Sequence, residues 1–248
     1  MNRRTRIHGV SGVGDAVGHG ARRVWLFDLD NTLHHAGHAV FGMVDRSMNE
    51  YIERELGVSP DEADRLRRHY WARYGATLLG LMRHHAIQPL HFLEQTHVLP
   101  GLEAGLRGHP HDVVALKKLR GRKYILTNAP GAYTARVLRA LGISHLFDGV
   151  IPIEAMRMFG QWRPKPDARM FRRLVARLGT TPGRCTLVED TLAHQRAAFR
   201  VGLHTVWMQR WLRFGQHGPE VGVYLHHRPA YVCVRINSLQ MLQRCMRR

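Results

Sequence analysis

The sequence predicts an α/β protein: a parallel sheet with helical crossovers, interrupted early by a long helical insert. Three observations carry this. Short apolar runs recur along the chain and several end in polar or acidic residues. Helical stretches lie between them. Residues 35–111, directly after the first run, contain no convincing strand. Strands alternating with helices imply parallel pairing with right-handed crossovers.

Residues 1–22 show no periodicity and carry five glycines, which reads as a mobile tail. VWLFDL (24–29) is a buried strand whose carboxyl end carries acids. Within the insert, VDRSMNEYIERELG (44–57) is amphipathic and stops at Gly57. Ser59, Pro60 and Asp61 then supply an N-cap, a first-turn proline and a first-turn acid for a second helix. ATLLGLMRHH (76–85) and PLHFLEQTHV (89–98) are helical, and an insert of this kind caps the strand ends. Beyond it, strands are expected at KYILT (123–127), GVI (149–151), CTLVE (185–189) and HTVWM (204–208), with YVCV (231–234) as a sixth candidate. Helices are expected at 112–121, 131–141, 167–178 and 192–201, with Gly121, Gly142, Gly179 and Gly202 as their stops.

The 248 residues suit one large domain or two smaller ones, and 44% hydrophobic content is that of a globular chain. Cysteine occurs three times, at Cys185, Cys233 and Cys245, which excludes a disulfide framework and fits a reducing, cytoplasmic setting. The first 23 residues lack the apolar core of a secretory signal, and no apolar run is long enough to span a membrane. The formal charge is +18, but more than half of the excess lies in residues 1–23 and 210–248. Only four of the 37 basic residues are lysine, and no zinc-finger or RNA-binding signature accompanies them. No specific nucleic-acid partner is expected, although the charge would steer small anions.

The strongest chemical signal is Asp28-Leu29-Asp30-Asn31-Thr32-Leu33. Two carboxylates two residues apart on a strand point the same way, and at a strand exit both meet one ligand. The rival reading is a solvated turn. This start resembles the first motif of haloacid dehalogenase superfamily phosphohydrolases, an apolar strand followed by D-x-D-x-T. The resemblance supplies a second motif at Thr127-Asn128, a third at Lys165 within RPKPD, and a fourth at Glu189-Asp190 closing TLVED. It covers about residues 23–210. It implies a Rossmann-like core, 23–34 plus 112–210, and a helical cap, 35–111, with 211–248 as an extension that adds an edge strand. YGATLLGLM (74–82) and TNAPGAY (127–133) are similar to segments of the pyrimidine 5′-nucleotidase branch.

On this resemblance, Asp28 would be the nucleophile that forms an aspartyl-phosphate, and Asp30 the general acid and base. Asp28, the backbone carbonyl of Asp30 and Asp190 would hold Mg²⁺, with Glu189 as an additional or outer ligand. Thr127, Asn128 and Lys165 would bind the phosphoryl group. Each has a plainer rival: a turn at Thr127-Asn128, an exposed loop lysine at Lys165, an acidic strand exit at Glu189-Asp190. The expected substrate is a small phosphorylated metabolite, a pyrimidine nucleotide first. The alternatives are another small phosphate, such as a sugar phosphate, and a degenerate fold that only binds. One departure favours the last: His194 stands where this branch commonly has asparagine. His34 and His35 read as exposed loop residues, and Cys185 as core. In the cap stretch, Thr77 is a candidate for a base edge and Tyr74 or Trp71 for stacking, with Gly75, Ala76 and Gly80 giving the ring room. The rival is that the same stretch fills the cap's own core.

Overall fold

A computed structural model describes residues 23–212 and 227–245. The segment 1–22, expected as a mobile tail, and residues 213–226 lie outside the described residues. Six parallel strands form one sheet: β1 (Val24–Phe27), β2 (Arg122–Leu126), β3 (Gly149–Ile151), β6 (Cys185–Glu189), β7 (His204–Met208) and β8 (Val234–Ile236). Their order is β3-β2-β1-β6-β7-β8. β4 (Arg157–Met158) and β5 (Gln161–Trp162) make a separate antiparallel hairpin.

β1 is central and buried on both faces, so its four residues form an unbroken apolar run. Alternation still divides them. Trp25 and Phe27 join a core with α6 (Pro110–Lys118) and α7 (Gly131–Ala140). Val24 and Leu26 join a second core with α8 (Ala168–Arg177) and α9 (Leu192–Arg200). Helices therefore cover both faces of the sheet, and the α/β class with an inserted helical cap holds.

The insert contains α1 (Gly37–Leu56), α2 (Pro60–Tyr74), α3 (Thr77–His85), α4 (Pro89–Thr96) and the short α5 (Leu102–Gly105). Tyr51, Leu66, Tyr70, Leu81 and Phe92 form its own core, to which Trp162 of β5 also belongs. Ser59 caps α2 by accepting from the Glu62 amide. The entering and leaving chains run together: His35 N–H donates to Arg107 O at 2.9 Å, and His34 bridges Gly108. No helix among the described residues is long and apolar enough to cross a membrane.

Two expectations shift, and one element is new. The edge strand begins at Val234 rather than 231, because Val232 turns back to bond Pro229 O and fills a pocket against Trp207. Gly121 does not stop a helix, since α6 ends at Lys118. It sits where a Cβ would meet Arg23 O at 2.4 Å, so glycine there permits close strand approach. The hairpin was not foreseen. Its turn is Phe159-Gly160, both at positive φ, without the Asn-Gly or Asp-Gly pair that announces such turns.

Candidate active site

Connections leave β1 toward β2 on one side and reach β6 on the other, so the chain's direction across the sheet reverses between β1 and β6. Ligands of open α/β sheets bind at such a reversal, beyond the carboxyl ends of the strands. Asp28 follows β1 there, its N–H still bonded to Val188 O of β6 at 2.9 Å. Glu189 ends β6 and Asp190 follows it. Carboxylate oxygens of Asp28, Glu189 and Asp190 lie within 4.8 Å of one another.

Lys165 is brought into this group from the loop before α8. Its Nζ donates to Asp28 Oδ1 at 2.7 Å and to Glu189 Oε2 at 2.6 Å. The side chain is 1% exposed, so it is not the exposed loop residue of the rival reading. Asn128 fixes the lysine's main chain. Its Nδ2 donates to Lys165 O and its Oδ1 accepts from Lys165 N–H, both at 2.9 Å. The carboxamide expected on a phosphoryl oxygen is thus engaged by Lys165. Thr127 Oγ1 accepts from Ala129 N–H at 3.0 Å.

The charges do not balance. One ammonium faces three buried carboxyls, with Asp30 next to them. Burial, then the charge of Glu189, raises Asp28 to about 7, against the pull of Lys165. Burial and Glu189 likewise raise Asp190 well above the usual carboxylate range. Burial also opposes ionisation of Glu189, but Lys165 outweighs it and holds that group low. Uncompensated buried carboxylates with clustered hard oxygens suit Mg²⁺, which takes few protein carboxylates and keeps waters. The donor set therefore fits the metal that the resemblance implies.

Asp30 stands apart from the lysine. Its Oδ1 accepts from the Tyr133 hydroxyl at 2.7 Å and lies 3.0 Å from His34 Nε2. Burial works against its ionisation, yet these two contacts leave it below its ordinary value. Asn31, in the left-handed region, accepts at Oδ1 from the Ala36 and Gly37 amides at 3.2 Å, capping the start of α1. His194 Nδ1 lies 3.1 Å from Glu189 Oε1, so the departing residue faces the site. Gln195 Nε2 ties Glu189 O to Val206 O, at 2.8 and 2.7 Å.

The sequence reading did not find Tyr133, Gln195 or the roles of Asn31 and His34. It placed His34 and His35 in an exposed loop. Instead, His34 is fully buried against Asp30, and His35 is half-buried and stacks on Trp211 at 4.9 Å. The cap stretch also resolves toward its plainer reading. Thr77 Oγ1 donates to Arg67 O at 3.1 Å, and Gly80 makes room for Tyr70, which a Cβ would strike at 2.1 Å. Tyr74 instead joins Leu79, Trp162, Arg163, Pro164, Pro166 and Asp167 around a cavity of about 250 Å³, on the loop that carries Lys165.

Comparison with known proteins agrees with this fold. Phosphate metabolism protein 8 of Saccharomyces cerevisiae is 27% identical over 198 residues, 74% of this chain. The match spans 60% of that relative's length. The HAD phosphatase from Thermococcus onnurineus superposes with a TM-score of 0.58 at 21% identity, over 90% of this chain and 97% of that one. CbbY from Rhodobacter sphaeroides, in complex with phosphate, gives 0.59 at 19%, over 89% and 96%. At these identities the two structures speak for the fold. The pattern of haloacid dehalogenase-like hydrolases matches residues 23–202, most of the described chain, and the protein belongs to that family.

Proposed function

We propose that the protein is a Mg²⁺-dependent phosphomonoesterase for nucleoside 5′-monophosphates, pyrimidine nucleotides foremost, working through an aspartyl-phosphate on Asp28. The observation that carries this reading is Lys165 Nζ shared between Asp28 and Glu189, with Asp190 beside them. A buried carboxylate held in place by an ammonium is a positioned nucleophile, and positioning with electrostatics is most of phosphoryl-transfer catalysis. Asp28 attacks phosphorus, Asp30 protonates the departing ester oxygen, and Asp30 then takes a proton from the water that hydrolyses the intermediate. Lys165 balances charge on the phosphoryl oxygens, Thr127 completes the phosphate site just after β2, and Asn128 serves that site by holding the Lys165 main chain. Mg²⁺ held by Asp28, Asp190 and the Asp30 carbonyl, with Glu189 adjoining, would neutralise further phosphoryl charge.

The division into a core of 23–34 plus 112–210 and a cap of 35–111 goes with this reading. So does a cytoplasmic setting, in which Cys185 and Cys233 remain free thiols. The nucleotide assignment rests on the resemblance of 74–82 and 127–133 to the pyrimidine 5′-nucleotidase branch. The cavity lined by Tyr74 and Trp162 supports it, since two aromatic side chains border it. Phosphate release from UMP, CMP, AMP, GMP and several sugar phosphates, with Mg²⁺ and with EDTA, tests the reading. The expected result is Mg²⁺-dependent release with kcat/KM for UMP or CMP about 10- to 200-fold above the purine nucleotides. A sugar phosphate turned over better than every nucleotide would replace the substrate. Equal rates on all nucleotides would remove the base preference, and no release from any ester would return the chain to a binding role.

A further inference from the structure

We propose that Tyr133 and His34 are positioning residues for Asp30: they pin one carboxylate oxygen and thereby reserve the other for proton transfer. The proposal rests on the phosphomonoesterase reading, in which Asp30 moves the proton.

Both contacts fall on the same atom. Tyr133 Oη and His34 Nε2 lie 2.7 and 3.0 Å from Asp30 Oδ1. Two donors on one oxygen fix the plane of the carboxyl as well as its position. The burial has the same sense. Tyr133 and His34 are 2% and 0% exposed, whereas the Asp30 side chain is 19% exposed. The two donors are closed off from solvent, whereas the Asp30 side chain keeps some access to it.

Each donor is itself held. Tyr133 lies in the first turn of α7 rather than in a loop. The start of that helix is fixed by the Glu154 carboxylate, which accepts from Gly131 N–H at 3.1 and 3.2 Å, and by Thr134 Oγ1 donating to Pro130 O at 2.9 Å. Burial and the adjoining Asp30 carboxylate keep the Tyr133 hydroxyl protonated, so it acts as a donor. Its ring also meets His97, from the end of α4, edge to face at 5.8 Å. Opposite a carboxylate, His34 must present N–H at Nε2, with Nδ1 on the far side of the ring. That Nδ1 is buried with no hydrogen-bond partner among the described residues. An unpaired buried nitrogen costs stability, so the contact of its other nitrogen with Asp30 is bought at the fold's expense.

The proton traffic balances. Asp30 carries the proton it took from water in the preceding turnover; as the Asp28 Oδ–P bond forms and the ester P–O bond breaks, that proton goes to the departing oxygen. The resulting carboxylate is held by the Tyr133 O–H and His34 N–H. When water attacks the aspartyl-phosphate, its oxygen bonds phosphorus, the Asp28 Oδ–P bond breaks, and Asp30 takes the water's proton.

The test is leaving-group dependence. kcat/KM reports steps up to loss of the first product, so it isolates protonation of the leaving group. Tyr133→Phe keeps the ring and should fold, which its Tm checks. It should lower kcat/KM for UMP or an alkyl phosphate by about 10- to 100-fold, and for p-nitrophenyl phosphate by less than about threefold. In an Asp30→Asn background the same change should have no further effect on the alkyl ester. His34→Gln, which restores an N–H donor, should retain more alkyl-ester activity than His34→Leu. Equal losses on both esters, no loss on either, or an undiminished effect in the Asp30→Asn background would each overturn the proposal. The phosphomonoesterase reading fails separately. A wild type inert toward every ester, or an Asp28→Asn variant as active as wild type, would sink both.

Discussion

Two clusters of opposite charge sit about equally close-packed in this protein, and they do opposite things. At the sheet end, Lys165 lies 2.7 Å from Asp28 and 2.6 Å from Glu189, with all three buried. In the cap, Arg67 lies 2.8 Å from Asp45 and 2.6 Å from Asp64, tying α2 to α1, but those two aspartates are 49% and 29% exposed. Water shares the cap cluster's charge, so its geometry is a matter of packing. At the sheet end the groups are buried, so solvent shares little of the load, and the excess of carboxylates makes the arrangement costly. Short ion-pair distances therefore do not measure stability. The difference teaches that a site is marked by charge the fold fails to balance, not by charge as such.

The largest break in this comparison is expected at Asp28. Asp28→Asn cannot form the acyl-phosphate, so kcat should fall by about 10³-fold or more. The same change should not weaken the fold. Asp28 is raised to about 7 because burial and Glu189 disfavour its charge. The folded state thus holds that proton more tightly than the unfolded state does, and wild type loses this contribution as pH rises from about 4 through 7. In EDTA, Asp28→Asn should match or exceed the wild-type Tm at pH 8, and its advantage should shrink toward pH 5. A lower Tm than wild type at pH 8 would show that Asp28 stabilises the site it occupies.

Lys165→Met comes next. It leaves buried carboxylates without their cation, which typically costs about 3–5 kcal/mol. Denaturant unfolding in EDTA at pH 8 measures this, and a loss under about 1 kcal/mol would place the cluster with the cap's. The smallest effect is Arg67→Ala. The Arg67 side chain is only 13% exposed, but its carboxylate partners reach water, so the loss should stay at about 1 kcal/mol, and it should shrink further in high salt. A cost of several kcal/mol there would erase the contrast.

How much of this was legible depends on which forces write themselves into neighbouring residues. β6 and β7 were read to the residue, since strands buried on both faces are largely apolar, and CTLVE and HTVWM carry the apolar stretches LV and VWM. The carboxylates Asp28, Glu189 and Asp190 were readable for the same reason, because they stand where such runs end. Contacts that span the chain left no local trace. Tyr133 reaches Asp30 across 103 positions, and Asn128 reaches the Lys165 backbone across 37. Thr77 and Gly80 misled in the other direction. A small residue and a hydroxyl on a helix look like room for a ligand, and here they make room for Tyr70 and bond α2.

The position of β1 in the sheet also sets a timetable. It pairs with β2 at Arg122, about 100 residues on, and with β6 at Cys185, about 160 residues on. At ribosomal speeds of about 5–20 residues per second, the strand waits roughly 8–30 s before its second neighbour has been made. Parallel pairing at such separation is slow, because the loop must close before any contact rewards it. The most apolar strand therefore waits longest for its second partner, and a nascent chain carries it exposed. The strand that ends in Asp28 is docked on its second side only when the fourth motif arrives, so folding of the sheet's centre and assembly of the carboxylate cluster are one event.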